Sequence, residues 1–217
     1  MEAQHGMPHS RPPPLAPRDR PSLPLLACAA AGPVALAAAV HAAHAAGMTH
    51  LPLLHEAVSA GQPWRLLTGH WVHTNTAHLL LNAGGWALVV AAHFHAWQRM
   101  KGVQHLVVWT GLCLLTSTLL LTAWPQVSPY MGLSGVLHGW WLWLACRSVR
   151  DGDTVWGWGS LAVLGGKLAY EAGGAQGATA DWIGARVAVE GHVCGAIAAA
   201  GMLLAHHLLR RWQSRSH

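Results

Sequence analysis

Ser134 stands in the short stretch GLSG, Gly132 to Gly135, and His192 in GHVCGA, Gly191 to Ala196. A serine hydroxyl is a weak nucleophile until a base within hydrogen-bond reach takes its proton, and neutral histidine is the usual base near pH 7. The chemistry these two would perform is nucleophilic acyl transfer. His78 and Asn82, in TAHLLLN, are spaced i, i+4 and share one helix face. Both side chains can donate to a developing oxyanion, each such donor being worth roughly 3 kcal/mol in the transition state. Gly132 and Gly135, on either side of Leu133 and Ser134, permit a tight loop-to-helix turn and close backbone approach. The free N–H groups at that helix start would point at the same oxygen. Glu190 is two residues from His192, and at i, i+2 on a helix it faces away from the imidazole, so a Ser-His dyad is expected.

Each motif has a plainer explanation when read alone. Small-residue helix packing accounts for Gly-x-Ser-Gly, and interhelical hydrogen bonding accounts for His-x-x-x-Asn. What favours chemistry is the depth at which the elements would place them. The chain has 217 residues, 53% hydrophobic and 10% charged, against roughly 25% charged in an ordinary soluble domain. Apolar runs long enough to cross about 30 Å of hydrocarbon recur six times, at 23–46, 76–97, 103–123, 132–146, 155–170 and 187–209. The fourth and fifth are short for lipid-facing spans and read as partly enclosed by the others. Residues 1–22 form a Pro/Arg-rich segment expected to be disordered and cytoplasmic, 23–209 a six-helix membrane domain, and 210–217 a basic cytoplasmic tail. The apolar run from Leu23 exceeds the usual 7–15 residues of a signal core, which favours a retained span over a cleaved leader.

Of the 13 Lys and Arg, Arg11, Arg18, Arg20, Arg99, Lys101, Arg147, Arg150, Arg210, Arg211 and Arg215 fall on one side of these spans. Basic residues are retained on the cytoplasmic side of short loops, which puts both termini in the cytoplasm. The second, fourth and sixth spans then run inward from the outer face. Ser134, His78, Asn82 and His192 all lie in the first turns of those spans, and so in one polar layer a few residues deep. Polar groups inside a bilayer are costly, which marks this layer as functional.

Other classes are disfavoured. The net charge of +5 is split among loops, unlike a nucleic-acid patch. Cys28, Cys113, Cys146 and Cys194 have no CxxC spacing, and no HExxH occurs, so neither a metal nor another cofactor is implied. No fixed-period repeat is apparent.

These residues resemble the rhomboid family of intramembrane serine proteases. WRLLTGHWVHTNTAHLLLN, Trp64 to Asn82, is similar to the family's Trp-Arg loop element followed by its His-x-x-x-Asn helix. GLSG and GHVCGA are similar to its nucleophile and histidine motifs. The resemblance implies Ser134 as nucleophile, His192 as base, and His78, Asn82 and the Ser134 N–H as the oxyanion site. It implies that Trp64 and Arg65 shape the outer loop and its seating in lipid. GLSGVLHG and VAVEGHVCGA look most like the rhombosortase subfamily. Its implied substrates are single-span proteins with C-terminal Gly-Gly tails, cut at the periplasmic side of a bacterial inner membrane. One departure stands out. Where many rhomboids carry an aromatic residue four positions after the serine, this chain has His138, which could stack on His192 or compete as base. The competing reading is a non-catalytic rhomboid-like binding protein or a small-solute carrier on the same fold.

Overall fold

The structure, a computed structural model, describes residues 23–174 and 177–216; the segment 1–22 lies outside the described residues. They form ten helices: α1 Leu23–Ala45, α2 His55–Ser59, α3 Arg65–Thr68, α4 Thr76–Ala92, α5 Phe94–Gln98, α6 Gly102–Ala123, α7 Ser134–Arg150, α8 Thr154–Ala172, α9 Gly177–Ile183 and α10 Val189–Arg215. Two of them, α6 and α10, are long and apolar enough to cross a membrane by length and composition. No strand occurs among the described residues, whose one isolated bridge pairs Leu53 with Tyr130.

Side-chain chemistry marks both ends of α4. Asn75 caps α4, its side-chain oxygen accepting the His78 N–H at 2.9 Å. The apolar run expected over 76–97 is broken at His93, whose backbone leaves the helical region at φ −117° and ψ 28°. The His93 imidazole turns inward, with Nδ1 2.9 Å from Ser148 Oγ of α7 and Nε2 2.9 Å from Ser160 Oγ of α8. Trp141 Nε1 of α7 donates to the same Ser160 oxygen at 2.7 Å. The last helix continues to Arg215, through most of the segment expected as a tail.

Burial is inverted relative to a soluble bundle. Outward faces carry large apolar groups such as Leu88, Leu106, Val155, Leu204 and Trp212, which is the pattern of helices solvated by lipid. Inside, Trp86, Trp97 and Trp140 are fully buried with Leu112, Val136 and Leu144.

At the centre, α7 and α10 cross with their backbones in contact. A Cβ added at Gly195 would collide with the Gly135 carbonyl, and one at Gly139 would lie 2.5 Å from the Gly195 carbonyl. This is small-residue packing of the kind that lets membrane helices approach closely. Of the two roles expected for Gly132 and Gly135, close backbone approach falls to Gly135 at the helix crossing and the turn to Gly132, at φ +126°. By contrast, α8 buries only Gly157 and Leu164 among its described residues.

The segment between α1 and α4 is a packed loop organised by Arg65. Its side chain is 3% exposed, donating from Nη1 to the Pro52 carbonyl and from Nε to Gln62 Oε1, both at 2.7 Å. Trp64 beside it is 47% exposed, its Nε1 donating to the His50 carbonyl at 3.2 Å. His70 is sealed beneath, its Nε2 2.9 Å from Ser117 Oγ and 3.0 Å from the Cys113 carbonyl. Burial lowers the His70 pKa to about 4 and that of His73 to about 3. Both are depressed below the unfolded value of about 6.5, so the unfolded loop binds more protons and the loop's stability falls as pH drops from about 6.5 toward 4. Hydrogen exchange over residues 65–75, corrected for intrinsic rate, should therefore accelerate between pH 7 and pH 4. Protection unchanged across that range would contradict the buried neutral state of His70.

Candidate active site

The nucleophile turn is built from the outer loop. Leu53 and Tyr130 exchange backbone hydrogen bonds of 3.0 and 2.9 Å, and the Gly132 N–H donates to the Gly69 carbonyl at 3.1 Å. Those bonds hold the segment before α7 against the Arg65 loop. A Cβ at Gly132 would lie 2.7 Å from the His78 ring, so the glycine lets the imidazole close over the turn. Ser134 then opens α7, with no side chain capping that helix start. The Tyr130 hydroxyl, 1% exposed as a residue, accepts the Gly135 N–H at 3.2 Å and contacts the Ser134 side chain. Burial pushes the Tyr130 phenol up from its ordinary range, so it stays protonated and can donate to the serine.

Ser134, His78, Asn82, His138 and His192 all line one cavity of about 780 Å³. Asn82 is buried and donates from Nδ2 to the His78 carbonyl at 3.2 Å. The cavity extends between α4, through Leu88, Val89 and Ala92, and α8, through Trp156, Ser160, Val163 and Lys167. No hydrogen bond joins Ser134 Oγ to His192 in this conformation; such bonds commonly tighten only when substrate is bound.

The buried His192 ring is held on two sides. Its face stacks on His138 at a centroid distance of 4.0 Å and an interplanar angle of 13°. Its edge meets α8, where His192 Nδ1 donates to Glu171 Oε2 at 2.8 Å. Glu171 in turn accepts from Lys167 Nζ through Oε1 at 2.5 Å. Glu190 is engaged by Arg186 instead. A carboxylate thus touches the expected base, where the sequence reading expected none. The signal that could have found it is Lys167 and Glu171 at i, i+4 closing an otherwise uncharged helix.

Residues 60–211, well over half of the chain, match the Rhomboid domain family. The chain belongs to the rhomboid family. No curated protein matches it. Family membership and the apolar helices make this a membrane protein of a family of intramembrane proteases.

In this rhomboid the position four residues after the serine is committed. His138 Nδ1 lies 2.7 Å from the Ser134 carbonyl, and a carbonyl only accepts, so Nδ1 carries the proton. Its Nε2 is buried without a partner. A neutral imidazole stacked on His192 can support an imidazolium there through its π face. His138→Phe should therefore keep part of the activity, within about tenfold of wild type. Complete loss in His138→Phe, with activity surviving in His192→Ala, would instead make His138 the base.

The donor atoms of His138, Glu171 and His192 lie within 4.8 Å of one another. The near-parallel stacking directs the two imidazole lone pairs into separate planes. A shared metal ion would require one ring to turn out of the stack, so the arrangement suits proton transfer better than ligation.

Proposed function

We propose that this rhomboid is an intramembrane serine endopeptidase in which Ser134 is the nucleophile and His192 the general base. The observation that carries this is the convergence of Ser134, His192, His78 and Asn82 on one cavity, together with the start of α7. Six spans, made by α1, α4, α6, α7, α8 and α10, with both termini cytoplasmic, are the topology that fits the basic loops. The cavity mouth then faces the periplasm of a bacterial inner membrane.

A single-span substrate approaches between α4 and α8, where the cavity wall is made of side chains. A volume of about 780 Å³ falls within the roughly 300–1,000 Å³ of ordinary ligand pockets and suits a short unwound segment. Small residues such as a C-terminal Gly-Gly pair would unwind most readily and bring a carbonyl carbon to Ser134 Oγ. His192 takes the hydroxyl proton at Nε2 while the Oγ–carbon bond forms and the carbonyl electron pair moves onto oxygen. The Ser134 N–H, His78 and Asn82 receive that oxyanion. Collapse breaks the carbon–nitrogen bond, with His192 returning the proton to the leaving amine. Water then repeats the sequence on the acyl-enzyme.

Labelling by a fluorophosphonate probe tests this reading. Covalent labelling of the wild type that is lost in Ser134→Ala supports it; an unlabelled wild type favours the binding-protein or carrier alternative.

A further inference from the structure

We infer that Glu171 is a positioning residue for the base, completing a Ser134–His192–Glu171 relay whose third member is carried on α8. The inference rests on the serine-protease reading above. An ionised carboxylate can only accept hydrogen bonds, so its 2.8 Å contact with His192 Nδ1 fixes the proton on that nitrogen. The lone pair is left on Nε2, the atom that must face the serine. Without such a partner the two neutral tautomers compete, and the one protonated at Nε2 cannot act as base.

The carboxylate is itself held. Its two oxygens are divided between His192 and Lys167, so rotation that improves one contact loses the other. Glu171 lies in the last turn of α8, its side chain 14% exposed, and a part-buried carboxylate at that end of an apolar helix is costly unless it is paired. Lys167 offsets part of that cost as its neighbour one turn earlier. His138, on α7, bears on the ring face and has its own proton committed to the Ser134 carbonyl. Glu190, on the helix that carries His192, is taken by Arg186. Glu171 is thus the acidic side chain bonded to the base, and it comes from a third helix. When His192 accepts the Ser134 proton, the negative charge beside Nδ1 stabilises the imidazolium. Glu171 keeps its own charge throughout and transfers no proton.

Two measurements on the full chain in bilayers test this. In cleavage kinetics, Glu171→Gln should lower kcat by about 10²- to 10⁴-fold with KM changed by less than about threefold. Glu171→Asp should recover at least about tenfold over Glu171→Gln, because the shorter carboxylate still accepts. A Glu171→Gln enzyme with wild-type kcat, or one whose loss is confined to KM, overturns the inference. Nitrogen-15 NMR of labelled histidine gives a reading that needs no turnover. His192 should carry its proton on Nδ1 in the wild type and lose that preference in Glu171→Gln. A wild-type His192 protonated on Nε2 overturns the inference even if the enzyme is active. A wild type that neither cleaves nor is labelled by fluorophosphonate refutes the protease reading instead, while the tautomer still reports on Glu171.

Discussion

Ser134→Ala should abolish fluorophosphonate labelling and reduce cleavage of a Gly-Gly-tailed substrate by at least about 10⁴-fold, with His192→Ala close behind. The size of the effect follows from the division of labour in the cavity. On the proposed mechanism nucleophile and base act as one unit, so removing either would forfeit the covalent route entirely. What would survive is binding and the proposed oxyanion donors, His78, Asn82 and the start of α7. The double variant should consequently be no worse than Ser134→Ala alone, the non-additivity expected of groups that act together. Neither substitution should unfold the protein, because Ser134 sits at a helix start where its backbone geometry is set by Gly132 and by the Gly69 and Tyr130 contacts. Cleavage at wild-type rate in a folded Ser134→Ala protein would sink the assignment.

The second large effect is structural. Gly195→Ala should destabilise the protein by about 3 kcal/mol or more, at the upper end of overpacking costs. The new methyl group would meet the backbone carbonyl of Gly135. A flexible side chain could swing away from such a methyl group; a backbone carbonyl at the start of α7 cannot move without displacing Ser134. Activity should fall in step with stability. Gly201→Ala on the same helix is the control, since an added Cβ there meets nothing within 4 Å. It should be neutral or mildly stabilising through helix propensity, by about 1 kcal/mol at most. Thermal unfolding of both variants in detergent separates them. Equal melting temperatures would mean that the α7–α10 crossing is looser than the structure indicates.

Much of the site is legible in the sequence because membrane topology reduces position to depth. Counting apolar spans and basic loops puts Ser134, His78, Asn82 and His192 in one layer, and in the structure they line one cavity. Depth alone carries no information about which helices are neighbours, and there the sequence reading falls short. Glu171 lies one residue beyond the fifth apolar run as drawn, in a helix that extends to Ala172. Along its own helix His192 has Glu190 nearby, whereas the acid it bonds arrives from α8 by tertiary packing. Tyr130 escaped notice for a similar reason. It looks like an ordinary loop aromatic until its hydroxyl is seen beneath the Ser134 turn. Arg65 is expected to shape the outer loop, but nothing local reveals that its guanidinium is buried against the Pro52 carbonyl and Gln62 Oε1.

The knot at Ser160 has a mechanical meaning. With His93 and Trp141 fastened to that one hydroxyl, α8 has a fulcrum nearer its N-terminal end and a lever arm running to Glu171. Eleven residues at 1.5 Å each make that arm about 16 Å long. A tilt of only about 10° about Ser160 therefore carries the carboxylate about 3 Å, as far as the whole of its 2.8 Å bond to His192. On the proposed mechanism, opening the wall for a substrate and releasing the base would then be one movement, and cleavage would wait until α8 swings back.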